Sequence, residues 1–288
     1  MNEDDNIFIS VVIPTYERPN DLKICLNSLS KEIQQGAPTY EIIVSDDSKS
    51  EESKRMVESD FPNVFWGKGK QNGPAGNRNA GVSRARGKWI VFLDDDCIAQ
   101  EGYLDAYAKV IQTNSNIQVF EGRIFADRKR RTWAEGCPEN EHGGMLWTSN
   151  LCVNKSLFFE IGKFDERFKV AYEDVEFAHR LKQRKIKTFF VFDAAVCHPW
   201  RSLRSGGKNW KSKGYQIESL LLFLGKHSDA HEEHGKPVTY FKNFIRIVTK
   251  NLIYCLLNLK GNGVDILLSE ACISLKTSFL LLIAPKKN

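Results

Sequence analysis

Short apolar runs alternate with helical periodicity over roughly the first third of the chain. Ile7 to Pro14 ("IFISVVIP") is a β-branched run stopped by proline and predicts a buried strand. In the following "PNDLKICLNSLSKEI", Leu22, Cys25, Leu26 and Leu29 fall at helical spacing, with Asn20 as the expected cap. "YEIIVSDDS" (Tyr40 to Ser48) predicts a second strand and "NVFWG" a weaker third. "GPAGNRNAGVSRARG" predicts a turn into a helix, and "KWIVFLDDD" a fourth strand. Near-continuous apolar strands separated by helices imply a parallel sheet covered on both faces. Ligands of such sheets bind beyond the carboxyl ends of the strands. Two strands end there in acid: Asp46 and Asp47, then Asp94, Asp95 and Asp96.

The middle of the chain is less regular. "IQVFEGRI" reads as a strand and "FADRKRRTWAEGCPENEHGG" as a long polar loop. "YEDVEFAHRLKQRK" predicts a helix, because Val175, Ala178 and Leu181 share one face, and "KTFFVF" predicts a strand. Arg201 to Lys213 reads as a basic loop rich in glycine and serine. From Tyr215 the pattern turns helical. In "YFKNFIRIVTKNLIYCLLNLK", Phe241, Phe244, Ile245, Val248, Leu252 and Leu256 lie on one face, and Lys242, Arg246 and Lys250 form a stripe. That helix suits either a membrane interface or packing on the catalytic domain or a dimer contact.

The three consecutive aspartates pose a chemical question. Two carboxylates about 4 Å apart repel by roughly 4 kcal/mol at an effective dielectric near 20. At a strand end they can splay into a solvated turn or share a divalent cation, and Mg²⁺ and Mn²⁺ are hard ions suited to such ligands. Four further features have a similar double reading. Asp46 and Asp47 end a neighbouring strand. Arg78 lies in a small-residue helix start, where backbone amides favour anions. Glu173 and Asp174 open a helix, where acids also complement the helix dipole. His198 precedes a proline in "VCHPWR".

Composition narrows the classes. The 288 residues are 42% hydrophobic and 27% charged, ordinary for a globular protein with a real core. A net charge of +5 is too small to argue for nucleic acid, but it suits a phosphate-bearing substrate or an anionic membrane surface. Seven cysteines with no C-x-x-C pair read as free thiols in a reducing compartment. The acidic "MNEDDNIFIS" lacks signal-peptide features, and no run of about 18 apolar residues predicts a transmembrane helix. The expected location is cytoplasmic, with peripheral contact on the inner face of the membrane left open.

The ordered set "VVIPTYERP", "EIIVSDDS", "GPAGNRNAG", "WIVFLDDD", "SNLCVNKSLFFEIGKFDERF" and "YEDVEFAHRL" closely resembles the family 2 glycosyltransferases, over about Ile7 to His198. The resemblance implies an α/β GT-A fold. This is a Rossmann-like, mainly parallel mixed sheet flanked by helices, here with a helical C-terminal extension. It implies an inverting transfer from a nucleotide-diphosphate sugar, UDP-linked in most members, to an acceptor hydroxyl on a glycan, a lipid-linked saccharide or another molecule. It also implies Mn²⁺ or Mg²⁺ as cofactor. Carried over by residue, Pro14 and Tyr16 would line the nucleoside pocket and Asp47 would accept a hydrogen bond from the base. Arg78 would lie near the nucleotide. Asp94 and Asp96 match the D-x-D motif, with Asp96 the direct metal ligand and Asp95 nearer the donor sugar. Asp174 would be the catalytic base, and His198 matches a further metal ligand of some members. Glu17 stands in the nucleotide-binding motif where the family often has asparagine, so its role is open.

The resemblance divides the chain into a donor half (1–100), an acceptor and catalytic half (101–205) and a basic loop with helical extension (206–288). The basic loop, with Arg204, Lys208 and Lys211 and the pair Gly206-Gly207, reads as a lid over the diphosphate or as a solvated surface. Phe125 to Asn150 is expected to influence acceptor choice, with Trp133 and Trp147 as candidates for stacking on a sugar or for the core. No nucleic-acid partner is expected, and the oligomeric state is open. A nucleotidyltransferase would need a glycine-rich phosphate loop after the first strand, where this chain has "PTYERPND". An aspartate-nucleophile phosphatase would need its acids at that first strand. A silent glycosyltransferase-like scaffold would be expected to lose Asp174 or the D-x-D acids, and all remain. Cys97, Cys197 and His198 offer a weaker zinc alternative without conventional spacing.

Overall fold

A computed structural model describes residues 7–132, 135–202, 206–252 and 264–283. The chain divides into two compact units. The first comprises Met1–Asp127, Pro138–Lys169 and Glu173–Pro199, and the second Arg128–Cys137, Val170–Tyr172 and Trp200–Asn288.

The first unit is an eight-stranded sheet clad by helices. Its strands are β1 (Ile9–Thr15), β2 (Tyr40–Asp46), β3 (Val64–Lys68), β4 (Trp89–Leu93), β5 (Ile98–Ala99), β6 (Val119–Ala126), β8 (Asn150–Asn154) and β9 (Thr188–His198). They run in the order β3-β2-β1-β4-β8-β6-β9-β5. The first four are mutually parallel, β8 is antiparallel to both β4 and β6, and β5 is antiparallel to β9. This is the predicted mixed, mainly parallel sheet. Helices α1 (Pro19–Ser28), α2 (Glu52–Asp60), α3 (Gly73–Val82), α4 (Tyr103–Thr113), α5 (Lys155–Ile161) and α6 (Glu173–Gln183) join or follow the strands.

Strand alternation divides the core into two layers. Val11, Ile13, Val91 and Leu93 face Leu22, Leu26, Tyr103 and Tyr107. Val12, Ile43, Ile90 and Phe92 face Ala75, Val82, Leu157, Phe164 and Phe177. Helix α3 approaches β1 so closely that a Cβ at Gly81 would lie 2.5 Å from Val12 Cγ1, so only glycine fits there. Helix α1 begins at Pro19, with Arg18 in the cap position rather than the expected Asn20. Proline suits the first helical turn, because its missing N–H would have no partner there.

The second unit contains a two-stranded ladder of β7 (Glu135–Gly136) and β10 (Arg201–Ser202). Its helices are α7 (Gly206–Lys226), a 3₁₀ turn (Ser228–Ala230), α8 (His231–His234), α9 (Pro237–Arg246), a π-helical turn (Ile247–Leu252) and α10 (Val264–Ile283). Two expectations change here. The basic segment is helical from Gly206 rather than a loop through Lys213, and Arg204 lies outside the described residues. The predicted helix through Leu256 leaves α-helical geometry after Arg246, and Leu256 lies outside the described residues. Its face also rotates: Phe241 and Ile245 are exposed, while Ile247 is the buried residue between Phe244 and Val248.

Candidate active site

The strand ends of the first unit converge on one acidic cluster. Beyond β4, each aspartate has its own partner. Asp94 Oδ1 accepts from Arg78 Nη2 at 2.6 Å. Asp95 Oδ2 accepts from Thr15 Oγ1 at 2.7 Å, and its Oδ1 from Arg18 Nη1 at 3.2 Å. Asp96 Oδ2 accepts from the same Arg18 nitrogen at 2.9 Å, and its Oδ1 lies 3.3 Å from His198 Nε2. Two guanidiniums, an imidazole and a hydroxyl already oppose the charge. Burial nevertheless raises Asp95 to about 7, against the pull of Arg18 and Thr15. Burial works against a charge on His198, but Asp96 prevails and raises its pKa.

Arg78 connects this cluster to helix α6. Its second terminal nitrogen, Nη1, donates to Glu173 Oε1 at 2.9 Å. The guanidinium is buried, so desolvation disfavours its charge, yet Asp94 and Glu173 more than offset that cost and raise its pKa. Glu173 is raised to about 7 by burial and by neighbouring Asp174. Asp174, half-buried in the first turn of α6, is also raised by burial, with the Val175 amide and Arg78 pulling the other way. The α6 terminus is fixed by packing. Phe177 stacks 5.5 Å from Phe158 and 5.1 Å from Phe164. Arg180 clamps Glu176 and donates to the Ile161 and Lys163 carbonyls at 2.5 Å.

The end of β2 forms the other wall. Asp46 is consumed locally: it accepts from the Ser48 amide at 2.7 Å and from Trp66 Nε1 at 3.1 Å. Asp47 accepts from the Gln71 amide at 2.8 Å. Its burial and the adjacent Asp46 carboxylate raise its pKa, the Gln71 amide opposing them. Gly69 lies against Asp47, and a Cβ there would collide with Asp47 Oδ1 and Asn77 Oδ1. Asn77 Oδ1 is buried and without a hydrogen-bond partner. Pro14 sits within β1 and Tyr16 just beyond it, 55% exposed. Glu17, with a positive φ of 54°, turns its carboxylate to the Lys49 and Ser50 amides at 2.7 and 3.2 Å and to Ser50 Oγ at 2.7 Å. Asp94, Asp95, Asp96, Arg78, Asp174 and His198 thus form one electrostatic group, whereas Glu17 orders the turn after β2.

The residues fit a hard divalent ion. Asp96, Cys97 and His198 present ligand atoms within 4.8 Å of one another. The 3.3 Å between Asp96 Oδ1 and His198 Nε2 is close to the roughly 3 Å between adjacent ligands of an octahedral ion with bonds of about 2.1 Å. His198 Nδ1 lies 2.9 Å from the Pro199 carbonyl, so the neutral tautomer that donates from Nδ1 would present Nε2 to a bound ion. Burial pushes the Cys97 thiol well above its usual range, which leaves it a poor ligand for a hard ion. The zinc alternative is changed as well: Asp96, rather than Cys197, completes the group with Cys97 and His198.

The family model described as glycosyl transferase family 2 matches residues 10–181, which carry every one of these features except His198. The chain belongs to that family. An uncharacterized glycosyltransferase of Haemophilus influenzae is 26% identical over 189 residues, 61% of this chain and 62% of its own length. Glycosyltransferase AglE of Haloferax volcanii is 24% identical over 67% of each chain. A Campylobacter jejuni relative named GalNAc(5)-diNAcBac-PP-undecaprenol beta-1,3-glucosyltransferase is 37% identical over 31% of this chain and 29% of its own. The match thus spans less than two thirds of the Haemophilus relative. Among solved structures, residues 1–349 of S. aureus TarS share the fold, with a TM-score of 0.57 at 17% identity, over 96% of this chain and 90% of that one. The same TarS segment has been solved with UDP-GlcNAc.

Four residues of this family 2 glycosyltransferase escaped the sequence reading as site components. Thr15 and Arg18 flank Tyr16 and Glu17, and their proximity to Asp95 exists only once β1 lies beside β4. Glu173 read as a dipole-favouring acid, and only the fold shows it sharing Arg78 with Asp94. Gly69 carried a signal in its missing side chain, but nothing in the sequence pointed to Asp47 as its neighbour. Trp147 packs against the sheet core, and Trp133 lies outside the described residues. The loop around Trp147 is organised instead by buried Glu121, which accepts from the Gly144, Met145 and Leu146 amides and from Asn140 Nδ2.

Proposed function

We propose that this chain transfers a sugar from a nucleotide-diphosphate donor, UDP-linked, to an acceptor hydroxyl with inversion at the anomeric carbon. One observation carries the reading: Arg78 ties the β4 aspartates to the α6 terminus that bears Asp174. The structure of TarS with UDP-GlcNAc and the name of the Campylobacter relative support a nucleotide-sugar donor and a glycan or lipid-linked acceptor. Residues 1–100 serve the donor, 101–205 the acceptor and the chemistry, and 206–288 form the helical extension.

In this reading Asp174 accepts the proton of the attacking hydroxyl. Its burial makes it a stronger base than an exposed aspartate. Pro14, Tyr16 and Asp47 bound the nucleoside side, with Asp47 offering a carboxylate to the base. Arg78 holds Asp94 and Glu173 fixed, so the acceptor and donor sides keep their spacing. Arg18 and Thr15 orient Asp95 toward the donor sugar. Asp96 and His198 would hold Mn²⁺ or Mg²⁺, which when bound neutralises charge growing on the leaving diphosphate.

A panel of nucleotide sugars with and without Mn²⁺ tests the proposal, read by thermal shift and nucleotide release. Metal-dependent stabilisation and turnover with one donor is the expected result. No response to any nucleotide would remove the assignment.

A further inference from the structure

Helix α10 admits hydroxyls to its buried face and leaves large apolar side chains outside. Its buried face mixes the hydroxyls of Ser269, Ser274, Thr277 and Ser278, at 2%, 7%, 3% and 5% exposure, with Leu267, Ala271 and Leu281. Its outer face carries Leu268, Leu275, Phe279, Leu282 and Ile283, at 47%, 42%, 60%, 69% and 61%. At 3.6 residues per turn, these five positions fall within an arc of about 100°. A helix that merely packs on its own domain turns its apolar stripe inward and leaves a polar face outside.

The orientation is fixed by hydrogen bonds. Ser278 Oγ donates to the Pro237 carbonyl at 2.9 Å, and Asn243 Nδ2 donates to Ser274 Oγ at 3.0 Å. Ile247, Leu267 and Ala271 form the small apolar contact beside them, with Phe244 and Val248. Turning α10 to bury its leucines would break these bonds and expose that contact.

Helix α9 shows a related pattern. Val238, Phe241 and Ile245 recur at i, i+3 and i+7 and are 54%, 46% and 43% exposed. Lys242 and Arg246 are exposed along one side of that stripe, Lys236 precedes it, and Lys276 flanks the stripe of α10. Among the described side chains of the two helices, none of the exposed ones is acidic.

We propose that the exposed faces of α9 and α10 rest on an anionic phospholipid bilayer. Their apolar side chains enter the boundary between headgroups and acyl chains, and their lysines and arginine reach the lipid phosphates. Charge argues for lipid over a second copy of the chain. Protein interfaces are depleted in lysine, whereas the exposed charged side chains described on the two helices, Lys242, Arg246 and Lys276, are all cationic and complement lipid phosphates, the exposed acids Glu232 and Glu233 lying on α8. The contact is peripheral: among the described residues, no helix is long and apolar enough to cross a membrane. The proposal stands apart from the transfer reaction and does not need it.

The test is flotation of the full chain with phosphatidylcholine vesicles, with and without phosphatidylglycerol, alongside light scattering. Wild-type protein should float with the anionic vesicles and less so in high salt. A Phe279→Ser, Leu282→Ser double variant should reduce the bound fraction about tenfold or more, at an unchanged thermal midpoint because both side chains are exposed. Lys242→Glu with Arg246→Glu should remove the preference for anionic lipid. Absence of flotation, or undiminished flotation of the apolar double variant, would overturn the proposal. So would a dimer that the double variant splits while wild-type protein leaves vesicles unbound, because a second copy would then cover the surface.

Discussion

At the end of β4 charge is drawn inside the fold, while on α10 hydrocarbon is left outside it. Asp95, Asp96, Arg78 and Glu173 are buried within the first unit, and Leu282 and Phe279 are among the most exposed large apolar side chains of the second. Each departs from the usual partition of residues, and each is held by specific bonds. In the first unit the buried acids are matched by Arg18, Arg78 and His198. In the second the buried hydroxyls fix α10, and its outer leucines are exposed. A buried charge network suits a small charged ligand. An exposed apolar stripe flanked by cations suits an extended surface. The two departures, assigned to different ligands by the proposals above, should fail independently.

Asp174→Asn gives the largest separation. Removing a general base costs about 10²- to 10⁴-fold in turnover. Nucleotide-sugar binding by calorimetry should remain near wild type, because Asp174 lies on the acceptor side in the proposed reaction. Vesicle flotation should not change. Equal loss of donor affinity and turnover would contradict the division of roles.

Arg78→Ala follows, now in stability. It removes the shared partner of Asp94 and Glu173 and leaves Glu173, a buried acid, uncompensated. Breaking a buried ion pair in this way typically costs about 3–5 kcal/mol. Denaturant unfolding should show a loss of that order. Leu282→Ser should be nearly neutral in the same assay, since its side chain is already in water. Comparable losses from both would mean that the α10 stripe is buried in solution.

The same contrast explains what was legible in the sequence. Strand runs such as Ile7 to Pro14 and Trp89 to Leu93 announce a buried parallel sheet because hydrophobicity and β-branching act locally. The acids at the strand ends were visible for the same reason. Arg18 and Glu173 were not seen as site residues, since their roles arise from contacts 77 and 95 residues away in sequence. In the C-terminal region local periodicity misled. Phe241 and Ile245 have the spacing of a core face, but the bonds from α10 turn α9 so that they point outward. The π-helical turn at Ile247–Leu252 then shifts the register, which no residue-by-residue period anticipates.

Gly69→Ala probes the nucleotide wall with a smaller effect. The new methyl group would meet the ends of the Asp47 and Asn77 side chains, which can swing away. The fold should tolerate this, but Asp47 would lose the position from which, in the proposed reaction, it meets the base. Affinity for UDP should fall about tenfold, the scale of one charge-assisted hydrogen bond. Unchanged affinity would separate Asp47 from base recognition.

The smallest effect is a pH dependence confined to the first unit. Burial raises Glu173 from the usual 4.5 to about 7. A carboxyl whose pKa is higher in the folded than in the unfolded state binds its proton more tightly when folded. Its contribution to stability is therefore fully present below pH about 4.5 and is lost as pH rises through about 7. Asp95, raised to about 7, acts in the same direction. The metal-free protein should lose a few degrees of thermal midpoint between those limits, roughly what a 1–2 kcal/mol change produces in a chain of this size. Glu173→Gln should flatten part of that slope and leave the Asp95 share, while Phe279→Ser should leave it intact. A slope unaffected by Glu173→Gln would place the titrating proton elsewhere, and Asp95→Asn is the variant that would then flatten it.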